Sequence, residues 1–171
     1  MGLILNYMAN YLFVCLGNYH RSPWAANWFR SYCEENNIKA EVKSAGLDTD
    51  VFSHEEGKGI QLTKSTVYWA DRIVVMEPYM KDFILENYLN NHFDEDKITV
   101  LDVPDRFRDC LEKNSHKLDI SHEKAYQLMI SGTGLFGPRL FSKILESKLE
   151  QILLKEPIIS SSIFQVHLAL N

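Results

Sequence analysis

Cys15 and Arg21 stand at the two ends of one short stretch, VCLGNYHRSP from Val14 to Pro23. A thiol is a soft nucleophile, and a guanidinium is a planar fork that can grip two oxygens of one anion. Gly17 allows tight curvature between them, and Asn18 tolerates a left-handed backbone. Pro23 after Ser22 fits the first turn of a helix with Ser22 near its N-cap. A loop feeding a helix start points backbone N–H groups outward, and the helix dipole adds positive potential there. Leu16, Gly17, Asn18, Tyr19 and His20 therefore form a candidate nest for an oxyanion. The same field favours the thiolate of Cys15. Ser22 can donate its hydroxyl hydrogen to that sulfur, holding the anion and later easing its departure. The chemistry expected is a loop that binds phosphate while its sulfur attacks phosphorus. A cysteine that merely closes a strand before a capped helix would use fewer of these residue types.

The elements around the loop must hold it at the edge of a sheet. Tyr11–Leu16 is a short apolar run ending at Gly17 and reads as a buried strand. Trp24, Ala25, Trp28, Phe29 and Cys33 recur at helical spacing to about Glu35. Glu41–Ala45 is a candidate second strand closed by Gly46, and a helical or irregular piece is expected near Glu55–Trp69. Arg72–Met76 reads as a buried strand, Tyr79–Tyr88 as a helix, and Lys97–Val103 as a fourth strand ending at Pro104. Leu140–Leu154 carries an apolar helical stripe. Strands alternating with helices imply an α/β fold, a parallel sheet covered on both faces with right-handed crossovers. In such a sheet, ligands bind beyond the carboxyl ends of the strands, where Cys15–Ser22 lies.

The bulk numbers agree with one domain. The chain has 171 residues, 46% of them hydrophobic and 24% charged, with a net charge of −5. One domain is expected over residues 1–156, with residues 157–171 as an unassigned tail. No dense run of Lys and Arg suggests nucleic-acid binding. Three cysteines are an odd, sparse set, unlike a disulfide framework, which points to a reducing compartment. No Lys or Arg precedes Arg21, so the apolar start lacks the charge of a secretion signal. Asn6 stands where a myristoylation start needs Ser or Thr. No apolar stretch is long enough to span a bilayer. A cytoplasmic location without membrane partners is the expectation.

With these residues in view, the stretch resembles the low-molecular-weight protein tyrosine phosphatase family, whose loop reads Cys-x-Gly-Asn-x-Cys-Arg-Ser-Pro. The match falls on Cys15, Gly17, Asn18, Arg21, Ser22 and Pro23. Ser44–Gly46 (SAG) looks like the family's Ser-Ala-Gly after its second strand, and Ser44 would then support Asn18. Trp69–Glu77 (WADRIVVME) looks like its third strand, and Leu101–Phe107 (LDVPDRF) like its acid loop. The resemblance covers roughly residues 9–108 and the C-terminal helix more loosely. It implies a three-layer fold with a four-stranded parallel sheet in the order 2-1-3-4. It also implies hydrolysis of a phosphomonoester, chiefly phosphotyrosine on a protein or a small molecule, with no cofactor and no metal. Cys15 would become a phosphocysteine. An Asp would protonate the leaving phenolate and then activate water.

Two residues compete for that acid. Asp102 and Asp105 both lie just past the fourth strand. The family pattern Asp-Pro-aromatic favours Asp105, two residues before Phe107, although Arg106 occupies the family proline position. A second departure is His20, where the family commonly has Cys. Without that partner thiol, Cys15 is expected to oxidise past sulfenic acid more readily. His20 either tunes the loop or packs, and Tyr19 either stacks on an aromatic substrate or is a plain surface residue. Residues 108–138 match no family element. Within them, Gly132–Gly137 formally reads GxGxxG, but Pro138 follows and it reads as a turn. The six histidines show no metal-ligand spacing. Two rival readings are an arsenate reductase on the same fold, for which Cys33 and Cys110 are badly placed, and a phosphate-binding module without turnover.

Overall fold

The computed structural model describes residues 8–52, 59–89, 92–104 and 136–153. Four parallel strands, β1 (Ala9–Cys15), β2 (Ala40–Gly46), β3 (Arg72–Val75) and β4 (Ile98–Val100), lie in the order β2-β1-β3-β4. The order is the one expected. β1 sits second in the sheet, between two partners and under helices on both faces, which is why its sequence is an almost unbroken apolar run. Its last residue, Cys15, stands opposite Gly46, and Val14 stands opposite Val75.

Among the described residues four α-helices connect or cover the strands: α1 (Arg21–Glu35), α2 (Lys64–Trp69), α3 (Pro78–Asn87) and α4 (Phe136–Leu153). The chain steps one way from β1 to β2 and the other way from β2 to β3 and on to β4. Right-handed crossovers then send α1 to one face and α2 and α3 to the other. α1 packs on β1 and β2 and against α4, while α3 lies on β3 and β4. Phe29 of α1 seats between Tyr11 and Phe13 of β1, with ring centroids 4.6 and 5.7 Å away. Ile144, Leu145 and Leu149 bury the inner stripe of α4, and Trp28 Nε1 donates to Glu146 Oε1 at 3.4 Å across the α1–α4 seam. Each such large apolar side chain contributes about 1.5–3 kcal/mol when fully buried.

Several expected boundaries shift for identifiable reasons. Leu16 falls outside β1 because the chain is already turning, with Leu47 N–H donating to the Cys15 carbonyl and Asp48 N–H to that of Leu16. The fourth strand is shorter than Lys97–Val103, since Asp102 adopts a left-handed φ of 55° that interrupts extended pairing. Leu101 and Val103 still donate their N–H groups to Val75 and Met76. The last helix begins at Phe136, not Leu140, because Pro138 is tolerated in a first turn. Gly137 therefore belongs to α4, and residues 132–135 of the expected turn lie outside the described residues. The loose expectation over Glu55–Trp69 resolves into α2, opened by a capping box between Thr63 and Thr66, while residues 55–58 lie outside the description. The tail 157–171 lies outside it as well. Among the described residues no helix is long and apolar enough to cross a membrane.

Candidate active site

β1 ends and α1 begins at the carboxyl edge of the sheet, with Leu16–His20 between them. The loop after β1 leads to one face and the loop after β3 to the other, so the edge between β1 and β3 is a topological switch point, where open α/β sheets bind ligands. Cys15 is 3% exposed and its Sγ accepts two hydrogen bonds, from the Asn18 N–H at 3.2 Å and the Ser22 hydroxyl at 3.0 Å. Ser22 Oγ also lies 3.3 Å from the Ala45 carbonyl. Asn18 Nδ2 donates to Ser22 Oγ at 3.0 Å, filling an acceptor position and leaving the hydroxyl hydrogen for sulfur. Ser22 was expected near the N-cap. The helix instead starts at Arg21 with His20 as its cap, and the Ser22 hydroxyl is committed to the site.

Asn18 is the hinge of the loop. Its φ of 59° lies in the left-handed region, which Asn tolerates better than most side chains. Its Oδ1 accepts the Ile60 N–H at 2.9 Å. Asn18 was expected to be supported by Ser44. In the structure Ser22 and Ile60 hold it, and Ser44 sits on β2 opposite Phe13 with no bond to it among the described residues. Two glycines permit this close fit. A Cβ on Gly46 would lie 2.8 Å from Asn18 N, Gly17 C and Leu16 O, and one on Gly59 would lie 2.1 Å from Gly17 O. The loop is thus wedged between backbone on two sides.

Arg21 is 2% exposed. Its Nη1 donates to Glu77 Oε1 at 2.5 Å and to the Val103 carbonyl at 2.8 Å. A buried cation requires a partner of this kind, since desolvation otherwise makes it costly. Glu77 follows β3 and Val103 follows β4, so one guanidinium ties three successive strand ends together. Tyr19 and Leu16 are half-buried and His20 is exposed, with no side-chain bond to its own helix. Asp102 is half-buried, and its carbonyl lies 3.5 Å from Lys148 Nζ of α4. Asp105, Arg106 and Cys110 lie outside the described residues. Among the described residues no three His, Cys, Asp or Glu side chains are grouped to hold a metal ion.

Cys33, the other described cysteine, is buried on the inner side of α1, as its helical position suggested. Burial pushes its thiol up to about 11, with the nearby Glu34 charge adding to the rise. Glu77, the Ile60 N–H and the Val103 carbonyl are site elements that motif reading passed over. The one local signal for Glu77 is a charged residue placed directly after a buried strand and before a helix-starting proline.

Comparison with known proteins agrees with this geometry. A family model described as "Low molecular weight phosphotyrosine protein phosphatase" matches residues 10–129. No curated protein matches the sequence closely enough to count as a relative. Among solved structures, a protein tyrosine phosphatase from Entamoeba histolytica in a product-state mimic superposes with a TM-score of 0.57 at 19% identity, over 86% of this chain and 94% of that one. YfkJ from Bacillus subtilis gives 0.53 at 20% identity, over 88% and 98%. A low molecular weight protein tyrosine phosphatase from T. tengcongensis gives 0.50 at 20% identity, over 84% and 99%. At these identities the likeness is one of fold.

Proposed function

The chain belongs to the low molecular weight phosphotyrosine protein phosphatase family, and on that premise we propose that it hydrolyses phosphomonoesters, phosphotyrosine foremost, through a phosphocysteine on Cys15. The observation that carries the proposal is the sulfur itself. It ends the inner strand β1 and receives a backbone N–H and the Ser22 hydroxyl, with a buried arginine at the start of the next helix. A thiol with no chemical task needs none of these donors.

In the proposed reaction, the phosphate oxygens sit on the N–H groups of Leu16–His20 and on Arg21. The thiolate attacks phosphorus, the S–P bond forms and the P–O bond to the leaving group breaks. An Asp beyond β4 gives its proton to the leaving oxygen. It then takes a proton from water as that water attacks the phosphocysteine and expels the thiolate. Ser22, donating to sulfur, stabilises the thiolate as it leaves. Asp105 is the favoured acid and Asp102 the alternative. The Arg21 bond to the Val103 carbonyl supports a placement of this segment beside the phosphate clamp. Arsenate reduction on the same fold needs a second thiol that can reach the first, and a thiol buried on the inner side of α1 and pushed up to about 11 suits that poorly.

The test is turnover of p-nitrophenyl phosphate by the parent, Cys15→Ser, Asp105→Asn and Asp102→Asn. The reading expects a loss on the order of 10⁴–10⁶-fold for Cys15→Ser and a loss on the order of 10²–10⁴-fold for one Asp variant only. Phosphotyrosyl peptides hydrolysed more slowly than alkyl phosphates would remove the tyrosine assignment. A parent that binds orthophosphate and hydrolyses nothing would make the protein a binding module.

A further inference from the structure

Glu77 closes the switch point from the side opposite the loop. It is the N-cap of α3, a position whose side chain ordinarily turns back onto the first N–H groups of its own helix. Its side chain makes no such bond. The carboxylate reaches across the strand ends instead and takes a hydrogen from Arg21 Nη1. Nη1 carries two hydrogens, and the Val103 carbonyl takes the second. Nη1 therefore has none left for a phosphate oxygen.

We propose that Glu77 is a positioning residue for the anion clamp. It fixes the plane in which the guanidinium meets the phosphate. Through the shared Nη1 it also couples that setting to Leu101–Pro104, the segment leading to the acid. The consequence for turnover rests on the phosphatase reading; the consequence for phosphate binding does not. Two physical effects oppose each other here. By charge alone, a carboxylate near an anion site repels phosphate, so its removal should tighten binding. By geometry, its removal frees a long side chain to lose its aim, so binding should weaken. The geometry prevails because the carboxylate's charge is offset by the guanidinium it touches, whereas a misplacement of about 1 Å can cost on the order of 10²-fold.

The test compares Glu77→Ala, Glu77→Gln and Glu77→Asp. Orthophosphate binding is read by titration calorimetry, kcat and KM on p-nitrophenyl phosphate, and thermal midpoint alongside. The expected result is orthophosphate affinity lowered about tenfold or more in Glu77→Ala, with kcat falling further than KM rises. Glu77→Gln, which keeps an oxygen acceptor, should recover part of both. In an Arg21→Lys background the same substitutions should change phosphate affinity less than twofold, as expected when one residue acts through the other. If Glu77→Ala does not fold, Glu77→Gln and Glu77→Asp carry the comparison. Orthophosphate bound equally or more tightly by the folded variants would overturn the proposal, and so would a parent that binds no orthophosphate. Weakened binding by the variants of a parent that turns nothing over would keep the positioning role and sink the phosphatase reading.

Discussion

Two regions of this molecule bury a cysteine to the same degree and surround it differently. Cys15 at the end of β1 and Cys33 near the end of α1 are each 3% exposed. Around Cys15 the burial is polar, with an amide hydrogen, a hydroxyl, and a nearby guanidinium tied to a carboxylate. Around Cys33 it is apolar, and the thiol is held protonated, up to about 11. Lack of exposure therefore says nothing about reactivity by itself. On the proposed reading, the direction of neighbouring dipoles is what separates a nucleophilic sulfur from one that serves as a small hydrophobe.

The contrast is broken or sharpened most strongly by exchanging the two sulfurs for oxygen. Cys15→Ser should cost on the order of 10⁴–10⁶ in kcat, as loss of a covalent nucleophile does, while Cys33→Ser should leave kcat within about threefold. Equal losses from the two would erase the distinction. Next in size is Arg21→Lys, which keeps the charge and loses the fork; about 10²–10³ in kcat/KM is expected. Gly59→Ala then tests the packing of the loop, since its new methyl group meets Gly17 O. A rise in KM and a stability loss of about 1–3 kcal/mol in urea unfolding are expected, with little change at Cys33. The smallest effect at neutral pH belongs to Cys33 itself. Its folded-state proton is held more tightly than the ordinary value of 9.0, up to about 11. The stability this brings is present below pH 9 and is lost as pH rises toward 11. Urea midpoints across that window should fall more steeply for the parent than for Cys33→Ala.

Much of this could be read from residue order because the informative signals are local. The apolar run of β1, the glycine that ends it and the Cys–Arg–Ser–Pro spacing lie within a few residues of one another, and so do the runs for β3 and α3. Parallel strands buried on two faces leave little choice of residue type, which makes them legible. What escaped was long-range. Glu77 and Arg21 are 56 residues apart, and nothing in either neighbourhood marks the other as its partner. Ile60 holds Asn18 through a backbone N–H, which every non-proline residue owns, so its side chain carries no signal. Ser44 was expected to support Asn18 through the family resemblance alone, and the structure gives Asn18 the Ser22 hydroxyl, four residues along the chain, and the Ile60 N–H instead. β4 ended early because a single left-handed residue, Asp102, stops a strand whose composition would have continued it.

The placement of Cys15 on a strand paired on both sides has a consequence for how the protein should fail on warming. Local openings begin where few backbone bonds cross to neighbours, and the three-residue edge strand β4 and the turn after it are poorer in such bonds than β1. The sulfur should thus outlast the proton donor. A warmed sample, still short of global unfolding, is expected to accept a phosphoryl group yet release it slowly, accumulating a trapped thiophosphate ester that intact-mass measurement after acid quench would register as added mass.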